Sequence, residues 1–181
     1  MRFEEKKIVL SDGREAELRS PITSDALKVI NFFEKCCGET NYLLRYPEEV
    51  DYTEEEERDI LDDYMKSEDK VMLACFIDEK LAGISSIVFN HKIKTKHRAS
   101  ISIALLKKYW GLSIGSQMIG ELIDLAKKRG VLQMELDYIE GNERAKALYE
   151  KMGFVEVGVK PNSIRLKNGK LLSEISMIRT L

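Results

Sequence analysis

Between Leu105 and Gly153 the chain runs through a strand end, a glycine-bearing turn, an amphipathic helix, a second strand and a second helix. This order puts an α/β crossover in the middle of the chain and requires a sheet with helices packed on it. Met118, Ile119, Leu122, Ile123 and Ala126 recur at helical spacing between Ser113 and Arg129, and Gly130 supplies a stop. In "LQMELDY" Leu132, Met134 and Leu136 alternate with Gln133, Glu135 and Asp137, as strand residues do. Asn142 is a good cap for the next helix, which carries Ala145, Leu148, Tyr149 and Met152 and ends at Gly153.

The rest of the chain extends this plan. Residues 14–19 alternate as a first strand. Thr23 or Ser24 caps a helix reaching about Cys37, with Ala26, Leu27, Ile30 and Phe33 as its stripe. A loop, "GETNYLLRYPEE", follows. Thr53 and Glu56 form a capping box for a second helix, whose apolar face is Ile60, Leu61, Tyr64 and Met65. Val71 to Ile77 and Leu81 to Asn90 make a hairpin, and residues 98–106 make another strand. "FVEVGV" is a strand, and Asn168-Gly169 marks a C-terminal hairpin. The order β-α-α-β-β-β-α-β-α-β-β gives an α/β mixed sheet of about seven strands with about four helices. A length of 181 residues suits a single domain over 1–181.

The net charge of −2 is unevenly spread. Residues 48–69 hold twelve acids against Arg58 and Lys66, a local charge of −10, and the remainder carries +8. A solvated helix face is the plain reading. A field that draws a cationic substrate is the sharper one, and the basic remainder suits an anionic cofactor. No apolar run reaches the roughly 18 to 20 residues that span a bilayer. The start, "MRFEEKKIVL", lacks the pattern of a secretory signal, so the expected location is cytoplasmic. Cys36, Cys37 and Cys75 cannot all pair within one chain, and with His91 and His97 they form no zinc spacing; reduced thiols and no metal are expected. The basic stretch "HKIKTKHR" has no stacking array beyond Tyr109 and Trp110, so nucleic acid is not an expected partner.

The turn "WGLSIGS", residues 110–116, joins a strand to a helix start and presents unpaired backbone N–H groups. Their partial positive charge suits a pyrophosphate, and Gly111 and Gly115 allow close approach. It resembles the Gln/Arg-x-x-Gly-x-Gly/Ala turn of the GCN5-related N-acetyltransferases. The matching positions are Trp110, Gly111, Leu112, Ser113, Ile114, Gly115 and Ser116. Trp110 departs from the usual Gln or Arg, and Ser113 from the first Gly; a Ser113 hydroxyl would cap the helix or touch a phosphate. "NERAKALYEKMGF" is similar to the family's Asn-x-x-Ala-x-x-x-Tyr-x-x-x-Gly-Phe signature, complete at Asn142, Ala145, Tyr149, Gly153 and Phe154. The resemblance covers residues 70–180 well, and the first 70 residues only in their strand-helix-helix plan.

The resemblance implies acetyl-CoA as cosubstrate, with no metal. Pantetheine would lie where the strand ending at Leu105 splays from the strand beginning near Leu132, paired with backbone groups of Ile103 and Leu105. Asn142 would contact the cofactor arm. The Tyr149 hydroxyl would protonate the leaving thiolate, a phenol of pKa near 10 facing a thiol of about 8.5. The Leu105 amide is the family-like oxyanion donor. No acid sits on "RASISIALL", so Glu39, in the loop between the first helices, is the best-placed general base. Glu135, Asp137 and His97 are the other candidates. The three cysteines lie outside the motifs, which argues against an acyl-enzyme. The expected acceptor is a small amine: an amino acid, polyamine or aminoglycoside. A protein N-terminus or lysine, or a non-catalytic CoA-binding module, are the alternatives. A homodimer is compatible with the family.

Overall fold

A computed structural model describes all residues, 1–181. It contains β1 (Lys6–Val9), β2 (Glu15–Arg19), α1 (Ala26–Glu39), α2 (Glu54–Lys66), β3 (Lys70–Ile77), β4 (Lys80–Phe89), β5 (Arg98–Leu105), α3 (Ile114–Lys128), β6 (Gln133–Ile139), α4 (Glu143–Lys151), β7 (Val155–Arg165) and β8 (Leu171–Thr180). All eight strands form one mixed sheet in the order β1-β2-β3-β4-β5-β6-β8-β7. Only β5 and β6 run parallel, joined by the α3 crossover. One cluster of 38 buried residues reaches from Ile8 on β1 to Met177 on β8, so the core is continuous across the sheet.

The sheet has one strand more than the sequence pattern suggests. β1 escapes notice because only Ile8 of its four residues is buried, which leaves no alternation to read. β7 runs well past "FVEVGV" to Arg165, is exposed along almost its whole length, and carries two bulges against β8. As the outer strand it has no apolar face to signal its extent. The turn between β3 and β4 is Asp78-Glu79, both at positive φ, the two-residue geometry that matches strand twist.

Tertiary docking chooses among alternative helical stripes. In α1 the buried residues are Ala26, Val29, Phe32, Cys36 and Cys37, whereas Leu27 is 53% exposed. The helix also continues through Gly38 to Glu39, so Glu39 is its last residue rather than part of a loop. α2 begins with the expected box: Thr53 Oγ1 accepts the Glu56 N–H at 3.2 Å, and Glu56 accepts the Thr53 N–H at 2.7 Å. Its buried residues are Leu61 and, against expectation, Glu57; Ile60 is exposed. Leu132 precedes β6 and is also exposed, leaving Met134, Leu136 and Tyr138 on the buried face. No helix is long and apolar enough to cross a membrane.

Candidate active site

β5 and β6 pair only at Arg98–Gln133, Ala99–Met134 and Ser100–Glu135, and then separate. Each remains paired on its other side, β5 with β4 up to Leu105 and β6 with β8 up to Ile139. A wedge therefore opens between the C-terminal halves of the two central strands. Leu106 N–H donates to Ala82 of β4 at 3.1 Å, so by strand alternation the polar groups of Leu105 and Ile103 face the wedge. Ile103, Ala104 and Leu105 are only half-buried there.

The turn that follows β5 closes the same end. None of the six consecutive backbone N–H groups from Gly111 to Ser116 donates a hydrogen bond within the protein. Ile114 and Gly115 belong to buried residues, where an unpartnered amide is costly. The turn's carbonyls face away: Gly111 C=O accepts from Ser11 Oγ at 3.1 Å, and Leu112 C=O from Ser11 N–H at 3.4 Å. With α3 starting at Ile114, these donors form an anion cradle at a helix N-terminus. A β-carbon at Gly115 would stand 2.8 Å from Leu148 Cδ2 and 3.3 Å from Leu105 Cδ1, so α3 reaches the wedge only because position 115 lacks one. Ser113 takes the left-handed conformation (φ 65°) that a glycine adopts without strain, and its hydroxyl caps nothing in the helix.

Trp110 serves two neighbours. Its Nε1–H donates to the Leu105 carbonyl at 3.0 Å, so only the Leu105 N–H is left for a ligand. Its ring carries the Arg144 guanidinium, 4.8 Å from the centroid. Arg144 Nη2 lies 4.0 Å from where a β-carbon on Gly111 would stand, which puts a cation beside the amide cradle. The sequence reading missed Arg144. Its place two residues after the capping Asn142 was the available signal, but the contact depends on how Trp110 turns.

α4 frames the wedge from the other side. Asn142 Oδ1 accepts the Ala145 N–H at 3.2 Å, which leaves its amide NH₂ free. Tyr149 is buried, its ring between Tyr138 and Phe154, and its hydroxyl bonds to nothing in the protein. Burial pushes this phenol up to about 12, above the value near 10 expected from sequence. Complete proton transfer from such a phenol to a thiolate of about 8.5 is uphill by roughly 5 kcal/mol, whereas donation of a hydrogen bond to it is open to this hydroxyl.

The candidate bases separate clearly. Glu39 Oε2 accepts the Lys107 N–H at 2.7 Å, which fixes the end of α1 against the end of β5. Glu135 sits at the closed base of the wedge, held by Arg98 and by Ser100 Oγ at 3.0 Å. Asp137 accepts from Ser176 Oγ at 2.5 Å and pairs with Lys160. His97 lies at the far end of β5, about 26 Å of strand from Leu105. Cys36, distant in sequence, reaches the site: its Sγ lies 3.7 Å from the Leu105 carbonyl. Burial raises its thiol to about 12, so it offers no thiolate.

Residues 40–46 form a strap across this end of the sheet. The strap starts at the Glu39–Lys107 bond, Tyr42 Oη donates to the Gly141 carbonyl at 2.8 Å just beyond β6, and Tyr46 Oη accepts the Lys167 N–H at 2.9 Å in the β7–β8 hairpin. Three acids of α2 pair locally, Glu54 with Arg58, Asp62 with Lys66 and Asp63 with Lys70, whereas Glu57 is buried within the field of Arg45 on the strap. The solvated-face reading holds for most of the acidic segment; the exceptions are Glu57, which is buried, and Glu48, which pairs with Lys167 of the β7–β8 hairpin.

Comparisons with known proteins agree with this geometry. A [Ribosomal protein bS18]-alanine N-acetyltransferase of Haemophilus influenzae is 41% identical over 61 residues, 34% of this chain and 41% of that protein; the match thus spans about two fifths of the relative's length. An acetyltransferase of the GNAT family from Streptococcus pneumoniae superposes with a TM-score of 0.85 at 25% identity, covering 92% of this chain and 99% of that one. A ribosomal L7/L12 alpha-N-protein acetyltransferase in complex with coenzyme A superposes at 0.77 with 20% identity, covering 92% and 94%. The sequence model of the Acetyltransferase (GNAT) family matches residues 39–154, from the end of α1 through the wedge, the cradle and α4. The chain belongs to the GNAT acetyltransferase family.

Proposed function

We propose that this protein transfers an acetyl group from acetyl-CoA to a primary amine, by direct attack of the amine within a ternary complex. The observation that carries this reading is the run of six unpartnered amides, Gly111 to Ser116, beside an open strand edge. Anionic oxygens satisfy the amides, and an amide-bearing arm satisfies the edge; a phosphopantetheine cofactor has both. Arg144 adds a cation where Trp110 replaces the usual polar residue. Acetyl-CoA supplies an activated thioester whose C–S bond breaks as the C–N bond forms.

The chain's groups have distinct tasks. The Leu105 N–H donates to the acyl oxygen as it gains charge. Tyr149 Oη donates to the departing sulfur. Glu39 accepts the amine proton through the oxygen that Lys107 does not occupy. Cys36, held as a neutral thiol, takes no part in covalent chemistry.

A small amine is the proposed acceptor. A protein N-terminus is the second reading, favoured by the partial match to the bS18-alanine acetyltransferase. Free-thiol release from acetyl-CoA against amino acids, polyamines, aminoglycosides and N-terminal peptides decides between them, with calorimetric CoA binding alongside. Release with peptides alone would favour the second reading. CoA binding with no release on any amine would sink acetyl transfer and favour a binding module.

A further inference from the structure

The cleft beside the strap carries its own chemistry. A cavity of about 200 Å³ lies between residues 40–46 and residues 163–166 of the β7–β8 hairpin. The strap leaves the end of β5 at Glu39, crosses the end of β6 at Gly141 and is tied down again at Lys167. The cavity is therefore at the sheet end where the wedge opens. Its only charged lining residues are Arg45 and Arg165, one from each wall. Both are exposed, and none of the protein's fourteen ion pairs involves either. No carboxylate lines the cavity; Leu43 and Ile164 supply apolar wall.

We infer that this cavity is the acceptor subsite and that it selects an amine carrying an anionic group, with a free amino acid or similar small amino carboxylate as the fitting class. Two guanidiniums on facing walls, neither in an ion pair although Arg45 also lies over the Tyr52 ring and near the buried Glu57, repel a polyamine or aminoglycoside and match a carboxylate, which they bind through paired N–H donors. The volume is below the roughly 300 Å³ at which drug-sized ligand sites begin, so it suits a small molecule. This inference rests on the acetyl-transfer reading, but it names a ligand chemistry that can be measured without turnover. It also runs against the sharper reading of the acids of residues 48–69, a field that draws a cationic substrate.

The test pairs each of a set of L-amino acids with its α-amide, adding spermidine and two peptides, Ala-Glu-Glu-Ala amide and Ala-Lys-Lys-Ala amide. Thiol release is measured for the wild type, Arg45→Gln, Arg165→Gln and the two Lys variants. Calorimetry follows binding of the same acids in the presence of CoA. The expected result is at least tenfold higher kcat/KM for one or more acids over their amides. Either Gln variant raises KM for the acid tenfold or more, collapses the preference over the amide, and is partly rescued by Lys. Preference for the Glu peptide over the free acids would keep the anion subsite and give the anion a peptide source. Equal use of the amides, preference for spermidine or the Lys peptide, or an unchanged preference in both Gln variants would overturn the inference while leaving acetyl transfer intact. Arginine-dependent binding of the acids with no thiol release would uphold the subsite and remove the transferase. Neither binding nor release would overturn both.

Discussion

Tyr149→Phe separates a catalytic hydroxyl from a core tyrosine, because the first role predicts a loss of rate at nearly constant stability and the second a loss of stability. The ring is 6% exposed and packs against Tyr138 and Phe154 at centroid distances of 6.3 and 6.2 Å, contacts that phenylalanine keeps. The hydroxyl has no partner in the protein and is not among the buried unsatisfied polar atoms, so it reaches solvent and its removal forfeits at most a hydration bond of about 1 kcal/mol. Its removal is therefore expected to change stability by no more than about 1 kcal/mol, a melting shift within about 4 °C for a chain of this size. The rate is expected to fall. A hydrogen bond to a charged sulfur contributes about 1.5–3 kcal/mol, and its loss lowers kcat roughly 10- to 150-fold. An interaction made only in the transition state leaves acetyl-CoA affinity within about twofold. Because burial holds the phenol near 12, no change in kcat attributable to Tyr149 is expected between pH 6 and about 9. Steady-state thiol release, CoA calorimetry and a thermal melt on one preparation check all of this. Unchanged kcat in a folded variant, or a melting point lowered by more than about 4 °C with kcat and affinity falling together, would refute the reasoning.

Three further outcomes test neighbouring parts. Gly115→Glu is expected to abolish CoA binding measured by calorimetry, since its Cβ alone would crowd Leu148 and Leu105 and its charge would enter the amide cradle; retained affinity would remove the assigned phosphate site. Ser113→Gly is expected to raise the melting point by about 1–4 °C, because the left-handed conformation costs a non-glycine residue about 1 kcal/mol and this hydroxyl caps nothing. A lowered melting point there would mean the hydroxyl has a stabilising partner. Glu57 is 3% exposed, and burial, partly offset by Arg45, lifts its carboxyl from 4.5 to about 7. A raised carboxyl binds more protons folded than unfolded, so stability falls as pH rises from 4.5 to 7, by up to about 3 kcal/mol. Glu57→Gln is expected to remove that fall in denaturant titrations at pH 5 and pH 8, and an unchanged slope would refute it.

Much of the fold could be read because its local patterns have one reading. The crossover helix α3 has a single buried stripe, and Met118, Ile119, Leu122, Ile123 and Ala126 all lie on it. The capping boxes and the Gly turns are chemical signals that tertiary context rarely overrides. The misreadings occur where two patterns compete or none exists. In α1 Leu27 and Val29 offer rival stripes, and docking on β4 and α2 buries Val29. β1 and β7 lie at the sheet's outer edges, where few residues are buried and alternation disappears. Within the site, the cradle was legible from glycine spacing, because it is backbone chemistry within seven consecutive residues. Arg144 on Trp110 and the tyrosine ties of the strap were not, since each joins residues 34 to 121 positions apart through side chains.

That division has a physical consequence for the family comparison. The proposed cofactor half of the site is built from β5, the cradle and α4, all within residues 98–154 and inside the matched region. Its donors are mostly backbone N–H groups, so side chains there can change, as Trp110 and Ser113 do, provided the turn keeps its shape. The proposed acceptor half is built from side chains on the strap, inside the matched region, and on β7–β8, where residues 163–167 lie beyond it. Backbone amides recognise the same anion whatever the sequence, whereas the proposed acceptor subsite depends on particular side chains, Arg45 and Arg165. The family match over residues 39–154 thus supports a shared grip on the cofactor, and in the proposed reading the strap and hairpin decide which amine is presented to it.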